Sequence, residues 1–254
     1  MPRPVIVIAA VALGLAGVVV AVTVFLGPRS GAPVPQLPGI PAAEAPTWAS
    51  PAEPPTPAEE PGRGIAGRVD VDWLAEAAAR TGIPERALAA YAGAALAKAQ
   101  EMPHCGLSWA TLAAIGAVES DYGRHDDSTI GPDGTATPPI YGVALDGDGT
   151  VAIPDSDGGE LDGDAEHDRA MGPMQLIPQT WRNWHVDGGG DGVEDPQNID
   201  DAALAAANYL CRAVGGMGLD FTTEDGWRAG IASYNAGESY LLRVVDLAVR
   251  YGGS

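Results

Sequence analysis

Eleven prolines fall between Gly27 and Gly64, interleaved with Ala, Glu and Ser. Each proline fixes φ and removes a backbone donor, and such a composition cannot bury a core. The stretch therefore reads as an extended, polyproline-like linker over residues 27–64. It confines any folded domain to residues 65–254, a length suited to one hydrophobic core. Ahead of the linker, Val5 to Leu26 is an uncharged run of 22 residues, long enough to cross a bilayer as a helix. Arg3 precedes it and Arg29 follows. The apolar core is longer than that of a signal peptide and no small-x-small site closes it, so an uncleaved anchor over residues 1–26 is preferred to a cleaved leader.

Within 65–254 the pattern is mostly helical. Asp70 opens a short helix that Thr81-Gly82 stops, and Pro84 stands at the first position of an Ala-rich helix running to about Gln100. Ser108 caps the next, which carries Leu112, Ile115 and Glu119 at helical spacing. Asp200 or Asp201 starts another that ends at Gly215-Gly216, and Thr222 or Thr223 starts one through Ile231. Leu241 to Val249 forms the last. Strand signals are confined to Ile140–Leu145 and Thr150–Ile153, which can form a short hairpin across Asp146-Gly147-Asp148-Gly149. The expected fold is mainly α with an acidic, loop-rich insertion.

The formal charge is −20, which excludes recognition of a phosphate backbone by clustered Lys and Arg, and hence a nucleic-acid partner. Much of the charge is local: from Asp146 to Asp201 there are 15 Asp or Glu against Arg169 and Arg182. Such density either stays solvated in loops or holds cations. Two cysteines, Cys105 and Cys211, lie far apart beside predicted helices. In an exported chain they read as a disulfide closing a long loop; in a reducing compartment they read as two buried thiols.

Glu119 is the residue that asks for an explanation. It stands in Ala113-Ala114-Ile115-Gly116-Ala117-Val118-Glu119-Ser120-Asp121-Tyr122-Gly123, a carboxylate at the end of an apolar helical segment. Either it ends the helix facing water, or it is desolvated and keeps its proton. Apolar neighbours and the negative end of the helix dipole both favour the neutral acid, the form that can protonate a leaving oxygen. Asp121, two residues on, falls on another face and reads as a capping or solvated residue.

Further blocks follow in order: Gly172-Pro173-Met174-Gln175-Leu176-Ile177-Pro178-Gln179-Thr180-Trp181, Ala207-Asn208-Tyr209-Leu210, and Ala232-Ser233-Tyr234-Asn235-Ala236-Gly237. With Glu119, their order and separation resemble the lytic murein transglycosylases, and within them the membrane-bound B-type branch, over about Val69 to Tyr251. The resemblance implies a lysozyme-like catalytic domain that cleaves the β-1,4 bond between N-acetylmuramic acid and N-acetylglucosamine without water, leaving 1,6-anhydro ends. It implies Glu119 as acid and then base. Gln175, Tyr209, Tyr234, Asn235 and Tyr240 would bind the glycan, with Tyr209 and Tyr240 open to a packing role instead. It further implies peptidoglycan strands as partner, and an extracytoplasmic domain tethered to the membrane by a single span. The sequence departs from the family upstream of Gln175, where a small hydroxyl residue is replaced by Glu166-His167-Asp168-Arg169. A hydrolytic muramidase and a non-catalytic glycan-binding module are the rival readings. The sequence names no protein partner.

Asp187-Gly188-Gly189-Gly190-Asp191-Gly192-Val193 is similar to a calcium loop with Asp at positions 1 and 5 and Gly at position 6. Position 3, Gly189, offers no side-chain ligand, and position 12 is Asn198. The family likeness adds a closing Asp, here Asp201 or Asp200. The expectation is a weak structural Ca²⁺ held by Asp187, Asp191 and Asp201, set against a solvated turn. Asp146-Gly147-Asp148-Gly149-Thr150 is a weaker candidate. No cofactor is required by the chemistry, and His104, His125, His167 and His185 show no zinc spacing.

Overall fold

Asp70 begins the first helix by accepting bonds from the backbone N–H groups of Asp72 and Trp73, and Gly82, in the left-handed region at φ 74°, ends it. In the computed structural model, which describes residues 46–148 and 150–253, this is α1 (Val71–Thr81). Then come α2 (Glu85–Glu101), α3 (Trp109–Ser120), β1 (Thr129–Ile130), β2 (Ala136–Thr137), β3 (Tyr141–Ala144) and β4 (Arg169–Met171). Four helices complete the chain: α4 (Pro178–Trp184), α5 (Ile199–Gly216), α6 (Glu224–Tyr234) and α7 (Glu238–Gly252). The described chain is mainly helical, as expected. The apolar run 5–26 lies outside the described residues, and no described helix is long and apolar enough to cross a membrane.

The caps read from sequence are largely in place. Ser108 Oγ accepts from Thr111 N and Thr223 Oγ1 accepts from Gly226 N. α5 starts slightly earlier than expected because the cap is Asn198, whose side chain accepts from Asp200 N. Pro84 stands just outside α2 rather than at its first position. α7 extends beyond the expected 241–249 at both ends. One helix was not anticipated: α4 has Pro178 in its first turn, after the irregular Gly172–Ile177 segment.

α3 is the hub. It is apolar all round, and Trp109 through Gly116 are buried without interruption, the signature of a helix enclosed by others. It packs against α2 and α7, while α5 packs on α2 and α6. The fit is tight where α2 crosses α3: a Cβ on Gly116 would lie 2.1 Å from the Tyr91 hydroxyl. Trp109 meets Trp73 edge to face with ring centroids 5.6 Å apart, and Trp227 Nε1 donates to Thr111 Oγ1 at 3.1 Å. Lys98 on α2 is buried, its ammonium donating to Asn208 on α5 and to Glu101.

The two small sheets lie between α3 and α4. β1 pairs with β2 antiparallel, Thr129 opposite Thr137. The expected 140–153 hairpin is corrected in its main partner: β3 pairs with β4, Tyr141 opposite Met171 and Ala144 opposite Arg169, with an irregularity between. The 150–153 segment instead bonds to the end of β3 at one point, Ile153 N to Leu145 O.

Residues 46–64 also differ from the linker reading. They lie along the helical body: Arg228 donates to Thr47 O, Trp109 Nε1 to Glu53 O, and Ala58 N to Arg68 O. Ala49 and Pro55 are buried. Prolines that cannot join a ladder can still cover apolar helix surface with an extended strap, and here Trp109, Ala95 and Leu96 provide it.

Cys105, just before α3, and Cys211, in α5, form a disulfide across 106 residues of sequence. Closing a loop of that length removes unfolded-state entropy worth about 4–5 kcal/mol on the chain-entropy model. Cys105→Ser or Cys211→Ser should lower the unfolding free energy by about 2–5 kcal/mol, measured by urea denaturation without reductant. The reduced wild type should match the Ser variants.

Candidate active site

Glu119 lies in the last turn of α3 and opens on a cleft of about 600 Å³. Burial pushes its carboxyl up to about 7, against weaker downward pulls from the Tyr240 hydroxyl and the Arg243 guanidinium. Tyr240 Oη donates to Glu119 Oε1 at 2.5 Å. The Tyr240 hydroxyl itself is held far above its ordinary range by burial and by the carboxylate's negative charge, so it remains a donor. α7 carries both partners, three residues apart and therefore on neighbouring faces.

The chain turns sharply after the acid. Asp121 and Tyr122 adopt φ 51° and 61°, and Gly123 follows at 84°. Left-handed backbone at two successive residues other than glycine costs about 1–2 kcal/mol each. Ser120 holds the turn: its Oγ accepts from Gly123 N at 2.8 Å and donates to Pro173 O at 2.6 Å. The same side chain thus ties the acid's helix to the loop bearing Gln175. Asp121 takes the solvated role expected of it, exposed and paired with Arg124 at 2.8 Å.

Gln175 sits in a tight reversal closed by paired bonds between Met171 and Leu176. Its φ is 48°, and its Nε2 donates to Gly172 O at 3.0 Å. Gly172 must be glycine here, because a Cβ would come within 1.8 Å of Pro196 O. Gln175, Tyr209, Tyr234 and Asn235 line the same cleft as Glu119. Tyr209 donates to Ser233 O at 2.5 Å and Tyr234 to Met174 O at 2.6 Å, which fixes both rings, 6.1 Å apart, as cleft surface. Asn235 Oδ1 accepts from Gly237 N. Tyr240 stands apart from this group. It is buried, donates to the Glu119 carboxyl and is not among the residues that line the cleft.

Another part of the lining comes from the insertion: Leu145, Thr150, Val151 and Ile153, with Ala170 of β4. Sequence reasoning missed Ser120, Arg243 and this wall. The Ser120–Pro173 bond spans 53 residues, and the wall follows from pairings no local pattern announces. Arg243 had a local signal, one turn after a Tyr already singled out.

The carboxylates expected to hold calcium accept bonds from the main chain of their own loop. Asp201 Oδ1 accepts from Gly188 N and Gly189 N, and its Oδ2 from Asp195 N. Asp187 accepts from Asp191 N and Gly192 N, and Asp191 Oδ1 from Val193 N. These bonds close the loop on main-chain donors. Among the described residues, the acidic side chains that bring three oxygens within 4.8 Å of one another are Asp155, Asp157 and Asp168. Asp168 there is buried and spends both oxygens on Ser156.

Against this geometry stand the comparisons. Residues 167–218, which include Gln175 and Tyr209, match the family model of the transglycosylase SLT domain. No curated protein matches the chain. Among solved structures, the Escherichia coli lytic transglycosylase Slt35 in complex with bulgecin A is similar at 14% identity and a TM-score of 0.41, over 74% of this chain and 85% of that one.

Two predictions follow from the charges. The unfolded Glu119 ionises near 4.5 and the folded one near 7. Between those values the folded state holds the proton more tightly, so stability present below pH 4.5 is lost as pH rises through 7. Relative to wild type, Glu119→Gln should gain on the order of 3 kcal/mol between pH 4.5 and pH 8, read from denaturation midpoints across pH. For the 187–201 loop, Asp201→Asn should lower stability by about 1–3 kcal/mol with or without calcium. A calcium-dependent rise in Tm that Asp187→Ala abolishes would show instead that the loop rearranges around an ion.

Proposed function

We propose that the protein is a peptidoglycan lytic transglycosylase, with Glu119 as its acid and base. One observation carries the reading: among the described residues lining the cleft, Glu119 is the one carboxylate, and its pKa is raised into the range of a general acid at neutral pH. Hydrolases that retain or invert need a second carboxylate facing the first across the bond. Substrate-assisted cleavage needs one, because the sugar's own acetamido group supplies the nucleophile. The SLT-domain match over residues 167–218 supports the same class.

In this mechanism the Glu119 carboxylic acid gives its proton to the glycosidic oxygen as the C1–O bond breaks. The acetamido carbonyl oxygen closes on C1 and takes up the positive charge. The Glu119 carboxylate then removes the proton of the C6 hydroxyl of the same muramic acid, and O6 displaces the acetamido oxygen from C1. The products are a free 4-hydroxyl and a 1,6-anhydro sugar, the acid is regenerated, and no water is consumed. Tyr240 and Arg243 favour the carboxylate that the second half requires, while burial favours the acid that the first half requires. Gln175, Asn235 and the rings of Tyr209 and Tyr234 orient the glycan. The substrate lies outside the cytoplasm, and Val5–Leu26 would hold the domain at the membrane facing it. The Cys105–Cys211 bond suits that compartment.

Glu119→Gln keeps shape and hydrogen bonding but cannot deliver a proton. Turnover of purified peptidoglycan by residues 46–254 should fall by more than about 10⁴-fold, with chitooligosaccharide binding retained. Mass analysis of wild-type products should show 1,6-anhydromuropeptides. Reducing ends would indicate a muramidase, and undiminished activity of the Gln variant would remove Glu119 from the reaction.

A further inference from the structure

The insertion between β3 and β4 is, by composition, an acidic loop, yet the part that faces Glu119 is aliphatic. Leu145, Val151 and Ile153, with Thr150, line the cleft together with Tyr209 and Tyr234. The main chain fixes Leu145 and Ile153 there, two residues from Val151: Ile153 N donates to Leu145 O, Leu145 N to Asp168 O, and Asp168 N to Ile153 O, at 2.8–3.1 Å. Asp168 directly precedes β4, and β4 runs into the Gln175 reversal. The wall and the Gln175 loop are therefore one hydrogen-bonded unit.

Val151 is the residue to explain. It is 76% exposed although it lines a cleft, and Val143 on the adjoining β3 is 69% exposed. Sites that bind small molecules combine apolar walls with a few placed polar groups. Here the polar groups, Gln175, Asn235 and Glu119, share the cleft with the aliphatic wall. An apolar side chain held in water at such a position gains on binding by covering C–H surface of whatever lies beside the acid. Resting on the transglycosylase reading, we infer that Val151 is a specificity-determining residue whose side chain packs against the C–H face and acetyl methyl of a sugar next to the cleaved bond. The occupant is the glycan rather than the stem peptide, because the wall borders the same cleft as the acid. Binding energy from this contact contributes to holding the strand in register.

The test compares wild type with Val151→Ser and Val151→Asp, on peptide-free glycan strands and on peptide-bearing strands. Val151 is exposed, so Tm should stay within a degree or two of wild type and folding does not confound the result. The expected outcome is a rise in KM of about fivefold for Ser and about tenfold or more for Asp, equal on both substrates. KM should carry most of the loss in kcat/KM, and Val151→Ile should restore it. Unchanged kinetics in an active enzyme would overturn the inference and leave the transglycosylase reading standing. A loss confined to peptide-bearing strands would assign the wall to the stem and overturn the sugar contact. A wild type that neither binds chitooligosaccharides nor cleaves strands would overturn both.

Discussion

A carboxyl group stays protonated near neutral pH only where water is scarce, and the scarcity around Glu119 comes from α3. That helix is buried without interruption from Trp109 to Gly116 and packs against α2 and α7, and the carboxyl at its last turn is desolvated by the body it runs out of. Polar neighbours then adjust a carboxyl that burial has already raised: Tyr240 by a hydrogen bond, Arg243 by its charge.

The turn after Ser120 shows how the strain is contained. Two left-handed residues in succession would relax if the segment were free. Ser120 bonds both to the turn and to Pro173, and the Tyr122 hydroxyl bonds to Tyr251 at the end of α7. The strained backbone is therefore fastened at both ends to elements that also build the site.

Much of this was legible in the sequence wherever the physics is local. Asp70, Ser108 and Thr223 announce helix starts because a cap satisfies donors two or three residues away. Glu119 stood out because an apolar run makes a lone carboxylate costly. What escaped was long-range. Residues 46–64 have a linker's composition, and only the apolar surface they cover turns them into a strap. β3 was paired with its neighbour in sequence because a two-glycine turn favours that choice, whereas the sheet partner lies beyond the whole insertion. In the loop at 187–201 the carboxylates accept bonds from several amide groups, a pattern that the ligand spacing alone does not reveal. The bond from Tyr240 to Glu119 spans 121 residues of sequence and depends on the rotation of α7, which no motif records.

The contact between Gly116 and Tyr91 carries an evolutionary consequence. A side chain at 116 has no room while the Tyr91 hydroxyl lies at the helix surface, and the ring cannot retreat from a core in which it is fully buried. While Tyr91 stands, position 116 admits only glycine. Substitutions at 91 and 116 should therefore accumulate in pairs across descendants of this chain, a larger residue on α3 appearing only with a smaller one on α2. Lineages that keep the tyrosine should keep the glycine with it.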